Sequence, residues 1–525
     1  MKDKKTLGVM IDLSRNAVKT PETLKKFAAI IKRMGYTTLY MYMEDVYEIE
    51  GEPCFGQNRG RYTKEELKDI DDYCYSIGIE VVPCIQTLAH LNGMFYCWNY
   101  YEINDIDDIL LVGEPKTYEL IEKMIKTMRE CFRSNRINIG MDEAEHIGRG
   151  KYLAKHGYEH PFKIMRSHLD RVLEITQKYN FQTSIWSDMF FRPLNQDYYV
   201  NKIDAKQLQE TKAYIPKNLT LCYWDYCHKS YKDYQKNMKA HKLLADNVSF
   251  AGGLWGWLGF APLNQASMKK TKAALKGIKE FDVNEVFYTI WGDNGGECSL
   301  FSLLPSLLYG AEVYYGNDDM DSIKRKFLDM FGVKWDDFIK VDLLSTRFGE
   351  YLTVPSKFGL YNDAFCGKED NNIQDGEEQN YVKYTRKLAR TIGRTGEYSY
   401  IFQTLKNLSS VLELKFTLGI KTRKAYLENN REELERIAYK VYPKLLKRLD
   451  VFYQSFHMQW HKENKPQGFE IQDIRLGGLK QRLINCMNTL RKYLNGEINS
   501  LPELEMPLVK QNAAYYAHIV TANML

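Results

Sequence analysis

Along the first 310 or so residues, short apolar runs alternate with segments whose apolar positions recur every three or four residues. The runs are LGVMIDL (7–13), TTLYMYM (37–43), IEVVPCI (79–85), INIGM (137–141), QTSIW (182–186), LTLCYW (219–224), VSFAGGLW (248–255) and EVFYTIW (285–291). The intervening segments carry helix start and stop signals. PETLKKFAAIIKRMG opens on Pro21 and stops at Gly35, and TKEELKDIDDYCYSIG has Thr63 and Glu66 spaced as a capping box. Eight strand-like runs separated by helices predict βα repeats and a parallel sheet, and eight such units close a (β/α)8 barrel. A doubly wound open sheet is the rival architecture. The barrel is favoured because polar and aromatic residues stand at the end of nearly every run.

Beyond about residue 315 the period changes. DSIKRKFLDMFG, YVKYTRKLARTIGR, REELERIAYKVYPKLLKRLDVFYQSFHMQWH and LKQRLINCMNTLRKYL all have helical spacing, and strand-like alternation is scarce. The expected organisation is α/β: a barrel over 1–315 followed by an α-helical C-terminal domain over 316–525. A polar loop is expected around GKEDNNIQDGEEQN, and a connector within WHKENKPQGFEIQDIRLGG.

Composition narrows the function classes. At 525 residues the chain exceeds one ordinary core, which agrees with two domains. No apolar run reaches the roughly 20 residues that span a bilayer. The start, MKDKKTLGVMIDL, is basic but turns polar at Asp12, Ser14 and Arg15, without the apolar stretch of a secretion signal. A cytoplasmic location and no membrane partner are expected. The net charge of +5 comes from interleaved rather than clustered Lys and Arg, so no nucleic-acid footprint is indicated. Ten scattered cysteines without a CxxC pair argue for free thiols, and neither a metal site nor a cofactor motif is recognised.

In a (β/α)8 barrel the chemistry sits at the C-terminal ends of the strands. Those ends hold Arg15 after run one, Glu44 and Asp45 after run two, and His90 after run three. Run four stops on adjacent acids, Asp142 and Glu143. Trp186 with Asp188, then Tyr223, Trp224 and Asp225, then Trp255 with Trp257, and finally Trp291 and Asp293 complete the set. Tyr223 with Asp225, and Trp291 with Asp293, are two apart and so share a face of an extended strand. A single Trp at a strand end is usually core, and a lone Asp there is usually a helix N-cap. An Arg, a His, several acids and several Trp converging on one pocket is a different matter. It suits a sugar, which has an apolar face and hydroxyls.

These residues resemble the barrel of glycoside hydrolase family 20, the β-N-acetylhexosaminidases, over roughly 6–310. The most specific element is the apolar strand closing on Gly140-Met141-Asp142-Glu143; DLSR, His90, Trp186, YWD and WGD look like the family's other barrel-end motifs in order. The helical remainder resembles the extension of a compact bacterial subgroup that lacks the N-terminal α/β domain of many members. The resemblance implies an exo-acting, retaining enzyme that removes terminal β-linked GlcNAc or GalNAc through an oxazolinium formed by the substrate's own acetamide. Asp142 would orient the acetamide, and Glu143 would be the acid and base. Trp186, Trp224 and Trp291 would wall the acetamide methyl, and Tyr223 would donate to its oxygen. Arg15 and Asp293 would meet the 3- and 4-hydroxyls, Asp225 and Trp255 would lie near the 6-hydroxyl, and His90 with Glu44 or Asp45 would tune Glu143. The partners implied are N-acetylhexosamine-terminated glycans, and the helical segment offers surface for a homodimer. The alternatives are a retaining glycosidase with two separate carboxylates, Glu143 with Asp225 or Asp293, and a non-catalytic carbohydrate-binding barrel. Preference between GlcNAc and GalNAc is not legible.

Overall fold

The computed structural model describes residues 5–195, 198–200, 203–345 and 355–509. Each of the eight apolar runs is a strand: β1 (Thr6–Asp12), β2 (Thr38–Met43), β3 (Glu80–Ile85), β6 (Arg136–Asn138), β7 (Gln182–Trp186), β8 (Thr220–Asp225), β9 (Val248–Gly253) and β10 (Glu285–Ile290). They close a barrel in the order β1-β10-β9-β8-β7-β6-β3-β2, and all its pairings are parallel. Closure runs from Thr6 beside Glu285 to Ile11 beside Ile290. A short antiparallel hairpin, β4 (Asn104–Ile106) with β5 (Ile109–Leu110), is inserted between β3 and β6 and was not anticipated.

The helix signals act as their chemistry dictates. Thr20 caps Pro21–Met34, and Gly35 ends it at φ 105°, a conformation costly for any residue with a Cβ. That helix turns Leu24, Phe27 and Ile31, all fully buried, onto the barrel; each contributes about 1.5–3 kcal/mol of burial. Both halves of the Thr63–Glu66 capping box are present. After residue 320 the described elements are all helical. Long helices at Ser399–Lys415, Tyr442–Glu463 and Glu470–Leu494 form its body. The connector expected within 460–478 shrinks to 464–469, because Gly477 and Gly478 are absorbed into the last of these helices.

Two layers of side chains matter for the site. Met10, Tyr40, Tyr42, Val82, Cys84, Trp186, Cys222, Ala251 and Phe287 fill the barrel, with Trp224 and Trp291 packed above them. Between barrel and helices lies the larger core, which includes Leu221 and Tyr223 of β8. On β8, therefore, Cys222 and Trp224 face inward while Tyr223 faces out. A side-chain period of two puts Asp225 on the outer face with Tyr223.

Candidate active site

The apolar run 137–141 outlasts its strand: β6 ends at Asn138, and Ile139 and Gly140 make the last backbone bonds to β7. Gly140, Met141 and Glu143 then take φ values of 73°, 68° and 52°. The turn is fixed from both sides: Asn138 Oδ1 accepts the Gly140 N–H at 2.8 Å, and Gln86 Oε1 accepts the Met141 N–H at 3.0 Å. A Cβ at Gly140 would stand 2.0 Å from Gln86 Oε1, so only glycine lets the glutamine in. Two non-glycine residues held in the left-handed region cost of order 1–3 kcal/mol each, and such strain collects at functional sites. Its result here is to turn Asp142 inward and lift Glu143 to the mouth.

The two acids have opposite surroundings. Asp142 is buried, accepts from Gln86 Nε2 at 2.7 Å, and has His90 Nε2 3.3 Å from its Oδ2. Burial alone would raise its pKa, but the charge and hydrogen bond of His90, with Gln86, hold it below the usual carboxylate range. Glu143 is half-exposed, receives Arg192 Nη2 at 2.8 Å, and lies 3.6 Å from His90 Nε2. Burial of its carboxyl and the neighbouring Asp142 charge push it above the usual range despite both cations. His90, itself at φ 56°, donates its backbone N–H to Asp108 Oδ2 at 3.1 Å. Burial works against its charge, yet Asp142 and Glu44 raise its pKa to about 10, so it is an imidazolium at neutral pH.

Around the acids lies a cavity of about 160 Å³ lined by Arg15, His90, Asp142, Glu143, Trp186, Trp224, Tyr226, Trp257, Trp291 and Asp293. Trp186 and Trp291 have ring centres 6.0 Å apart, and Tyr226 lies 5.2 Å from Trp224 and 6.4 Å from Trp291. The Tyr226 hydroxyl sits at the floor near Thr289 and Trp291, within electrostatic reach of Asp142. On the far wall, Arg15 lies 3.5 Å from Asp12, 3.6 Å from Glu44 and 3.6 Å from Asp293. Arg15 Nε, Asp293 Oδ1 and Trp186 Nε1 are buried without a hydrogen-bond partner. Unpartnered buried polar atoms cost free energy, so groups left this way around a cavity suit a ligand that would complete them.

The expected residues divide cleanly. Arg15, His90, Asp142, Glu143, Trp186, Trp224, Trp291 and Asp293 meet at the cavity. Glu44 stands behind Arg15; burial raises it to about 7 against the opposing charges of Arg15 and His90. Asp45 turns away, 2.8 Å from Arg59 Nε, which resolves the adjacent-acid ambiguity in favour of Glu44. Tyr223 and Asp225 do share a face, but it is the outer one. Tyr223 donates to Asp225 at 2.6 Å, Asp225 is also held by His228 Nδ1 at 2.6 Å, and the Tyr223 ring stacks on His241. Trp255 lies behind Trp257, ring centres 4.5 Å apart, and donates to the Tyr226 carbonyl.

Five contributors have no role assigned from the sequence, although Asp188 and Trp257 stand in its strand-end set. Gln86 follows β3 by one residue and Arg192 opens a single helical turn, and no periodicity marks either. Asp188 is fully buried, accepting the Glu143 N–H and Arg192 Nε at 2.9 and 2.8 Å. Burial and the Asp142 charge push it to about 7. Tyr226 and Trp257 follow their strands by one and four residues. For Tyr226 the available signal was the inward parity of Trp224. Among the described residues no group of three or more His, Cys, Asp or Glu side chains is placed to hold a metal ion.

A strand-end acid pair under an aromatic wall in a (β/α)8 barrel is the layout of a carbohydrate-active barrel, and comparison with known proteins specifies it. The family model for the glycosyl hydrolase family 20 catalytic domain matches residues 8–244, and that for the glycoside hydrolase 20C C-terminal domain matches 336–521. The chain belongs to glycoside hydrolase family 20. It is similar to a beta-hexosaminidase of Akkermansia muciniphila, 23% identical over 167 residues, 26% of this chain and 34% of that one. It is similar also to hexosaminidase D of Bos taurus, 21% identical over 246 residues, 45% of this chain and 66% of that one. The chain thus matches between a third and two thirds of the length of these relatives. Among solved structures it is similar to a Vibrio harveyi GH20 exo β-N-acetylglucosaminidase (14% identity, 63% of this chain and 58% of that, TM-score 0.47). A β-N-acetylhexosaminidase from Bacteroides fragilis gives 17% identity, 62% and 69% coverage, and a TM-score of 0.46.

Proposed function

We propose that the protein is an exo-acting, retaining β-N-acetylhexosaminidase that works by substrate-assisted catalysis. The observation that carries this reading is the split between two adjacent acids. Asp142 is buried and held ionised, whereas Glu143 stands at the mouth with its pKa raised above the usual carboxylate range by burial and the Asp142 charge.

The small cavity suits one terminal sugar, with the leaving group directed outward past Glu143. In the first step the acetamide carbonyl oxygen forms a bond to C1 as the bond from C1 to the leaving oxygen breaks. The proton of Glu143 passes to that oxygen. Asp142 accepts the acetamide N–H and stabilises the positive charge that develops on the oxazolinium. Trp186, Trp224 and Trp291 wall the methyl, raising the population of the attacking conformer. Tyr226 at the floor, rather than Tyr223, is placed to donate to the acetamide oxygen. Water then attacks C1 and loses its proton to Glu143, and the C1–acetamide bond breaks. Two inversions give net retention.

Arg15 and Asp293 meet the sugar's hydroxyl edge, where their unpartnered atoms find acceptor and donor. The two-carboxylate alternative is disfavoured because Asp225 faces the helix layer and the Arg15 guanidinium lies 3.6 Å from Asp293. The test is hydrolysis of nitrophenyl β-GlcNAc and β-GalNAc beside the plain β-glucoside and β-galactoside, with a thiazoline mimic of the oxazolinium as inhibitor. Turnover confined to the acetamido sugars with strong thiazoline inhibition is expected. Turnover of the plain glycosides without that inhibition overturns the proposal.

A further inference from the structure

The two residues assigned to the sugar's hydroxyl edge stand on neighbouring loops, and both loops are gripped from outside the barrel. Asn16, next to Arg15, donates from Nδ2 to the Gly295 carbonyl at 2.9 Å and to the Gly468 carbonyl at 3.1 Å. The Gly295 carbonyl also accepts from Gln472 Nε2 at 2.8 Å. Asp293–Gly295 is a single 3-10 turn, so this carbonyl belongs to the turn that carries Asp293. Two residues on, the buried Glu297 carboxylate lies 2.7 Å from Lys357 Nζ and 3.2 Å from Arg475 Nη1, and its backbone carbonyl receives Gln459 Nε2 at 3.4 Å. Lys357 is also within electrostatic reach of Asp293.

The packing leaves little slack. Gly295 sits at φ 127°, and a Cβ there would stand 2.4 Å from Arg475 Nη1 and 2.6 Å from Glu297 Oε1. Gly468 approaches so closely that a Cβ would be 1.8 Å from the Asn16 carbonyl oxygen. Gln472 and Arg475 lie one turn apart on the helix Glu470–Leu494, and Gly468 stands two residues before its start. Other contacts between barrel and helices, such as Lys19 Nζ to Asn464 Oδ1 at 2.7 Å, serve docking alone. The Gly295 cluster differs because its anchors touch the immediate chain neighbours of Arg15 and the turn of Asp293.

We infer that Arg475 and Gln472 are positioning residues that set Asp293 against Arg15, so that the helical region governs discrimination between acetamido sugars epimeric at C4. This rests on the hexosaminidase reading. It adds a role for side chains that touch no substrate, acting on the hydroxyl edge and not on the acetamide.

The experiment compares Arg475→Met, Arg475→Lys and Gln472→Met with the wild-type chain. In each Arg475 variant Lys357 still neutralises Glu297, and Gln472→Met keeps the volume while removing one hydrogen bond, so folding is checked by melting temperature. The ratio of kcat/KM on nitrophenyl β-GlcNAc to that on β-GalNAc is expected to move toward one by about fivefold in both Met variants, the size of one neutral hydrogen bond. Arg475→Lys should recover part of it. The pH profile, set by His90, Asp142 and Glu143, should not move, and amides 293–297 should exchange hydrogen faster. Wild-type selectivity in folded Arg475→Met and Gln472→Met chains overturns the inference, as does a shifted pH profile. A wild-type chain inactive on both sugars defeats instead the hexosaminidase reading; if Arg475→Met does not fold, Gln472→Met alone decides.

Discussion

The barrel has a charged cluster at each end, and they are built on opposite principles. At the N-terminal end Arg136 donates five hydrogen bonds: to Glu80 at 3.1 and 2.6 Å, to Glu285 at 2.6 Å, to Tyr40 at 3.3 Å and to Thr38 at 3.4 Å. At the C-terminal end Arg15 faces three carboxylates at 3.5–3.6 Å, and its buried Nε has no partner. The lower cluster borders the larger cavity, about 420 Å³ against 160 Å³. Size and charge therefore do not locate the chemistry. A guanidinium whose fork is filled by its own neighbours stabilises the fold; one left short of its neighbours beside an aromatic wall is organised for something else.

The upper end should fail first as a catalyst. Glu143→Gln removes the proton donor and should lower kcat by about 10³–10⁴ on substrates with poor leaving groups. Asp142→Asn should lower it by about 10²–10³, by removing the charge opposite the oxazolinium. Melting temperatures should stay close to wild type in both. Steady-state kinetics on nitrophenyl and disaccharide substrates read this directly, and an Asp142→Asn enzyme of undiminished kcat would break the substrate-assisted scheme.

The lower end should fail as a scaffold. Arg136→Met leaves Glu80 and Glu285 facing each other, and should cost about 2–3 kcal/mol, less than a fully buried pair because Arg136 keeps some water contact. Its kcat should remain near wild type. Burial alone would raise the Glu80 pKa, but Arg136 holds it below the usual range. The stabilisation is thus complete at neutral pH and is lost as pH falls through the folded value. Denaturant melts at pH 7 and pH 4 should show the variant's deficit shrinking at the lower pH.

His90 separates the ends by pH. Activity needs Asp142 ionised and Glu143 protonated, so the rate should fall on the acid side as Asp142 protonates and on the alkaline side as Glu143 ionises. The imidazolium of His90 lowers both pKa values. His90→Asn should therefore move both limbs of the kcat/KM profile upward, further on the acid side where the contact is closest. A profile unchanged in position would show that the imidazolium does not act on either acid.

How far these ends could be read beforehand depends on what carries a period. All eight strands were legible, because a buried parallel strand is a continuous apolar run bounded by turn residues. The acid pair was legible as polar residues closing such a run. The inward face of β8 was not, since Leu221 to Trp224 are apolar on both faces and parity alone leaves two registers open. The roles of Gln86, Asp188 and Arg192 escaped for another reason: they act by contact with Met141, Glu143 and Asp142, from short connecting segments whose sequence has no repeat. Gln86 and Asp188 fix the strained turn, which was itself hidden behind an apolar Met141.

That register is open to the finest test. Tyr226 lines the cavity floor with its hydroxyl near Trp291, while Tyr223 spends its hydroxyl on Asp225 in the helix layer. Tyr226→Phe should lower kcat by about 10–100-fold through loss of a donor to the acetamide oxygen, besides about 1 kcal/mol of stability for its hydrogen bonds with Thr289 and Trp291. Tyr223→Phe should also cost about 1 kcal/mol of stability for its lost buried hydrogen bond but leave kcat within about twofold. The two substitutions delete the same atom from residues three apart, so differences in chemistry or volume cannot explain a contrast between them. If Tyr223→Phe proved the slow enzyme, β8 would have to turn its other face to the substrate. Asp225 would then return as a second carboxylate at the cavity, and the double-displacement mechanism with it.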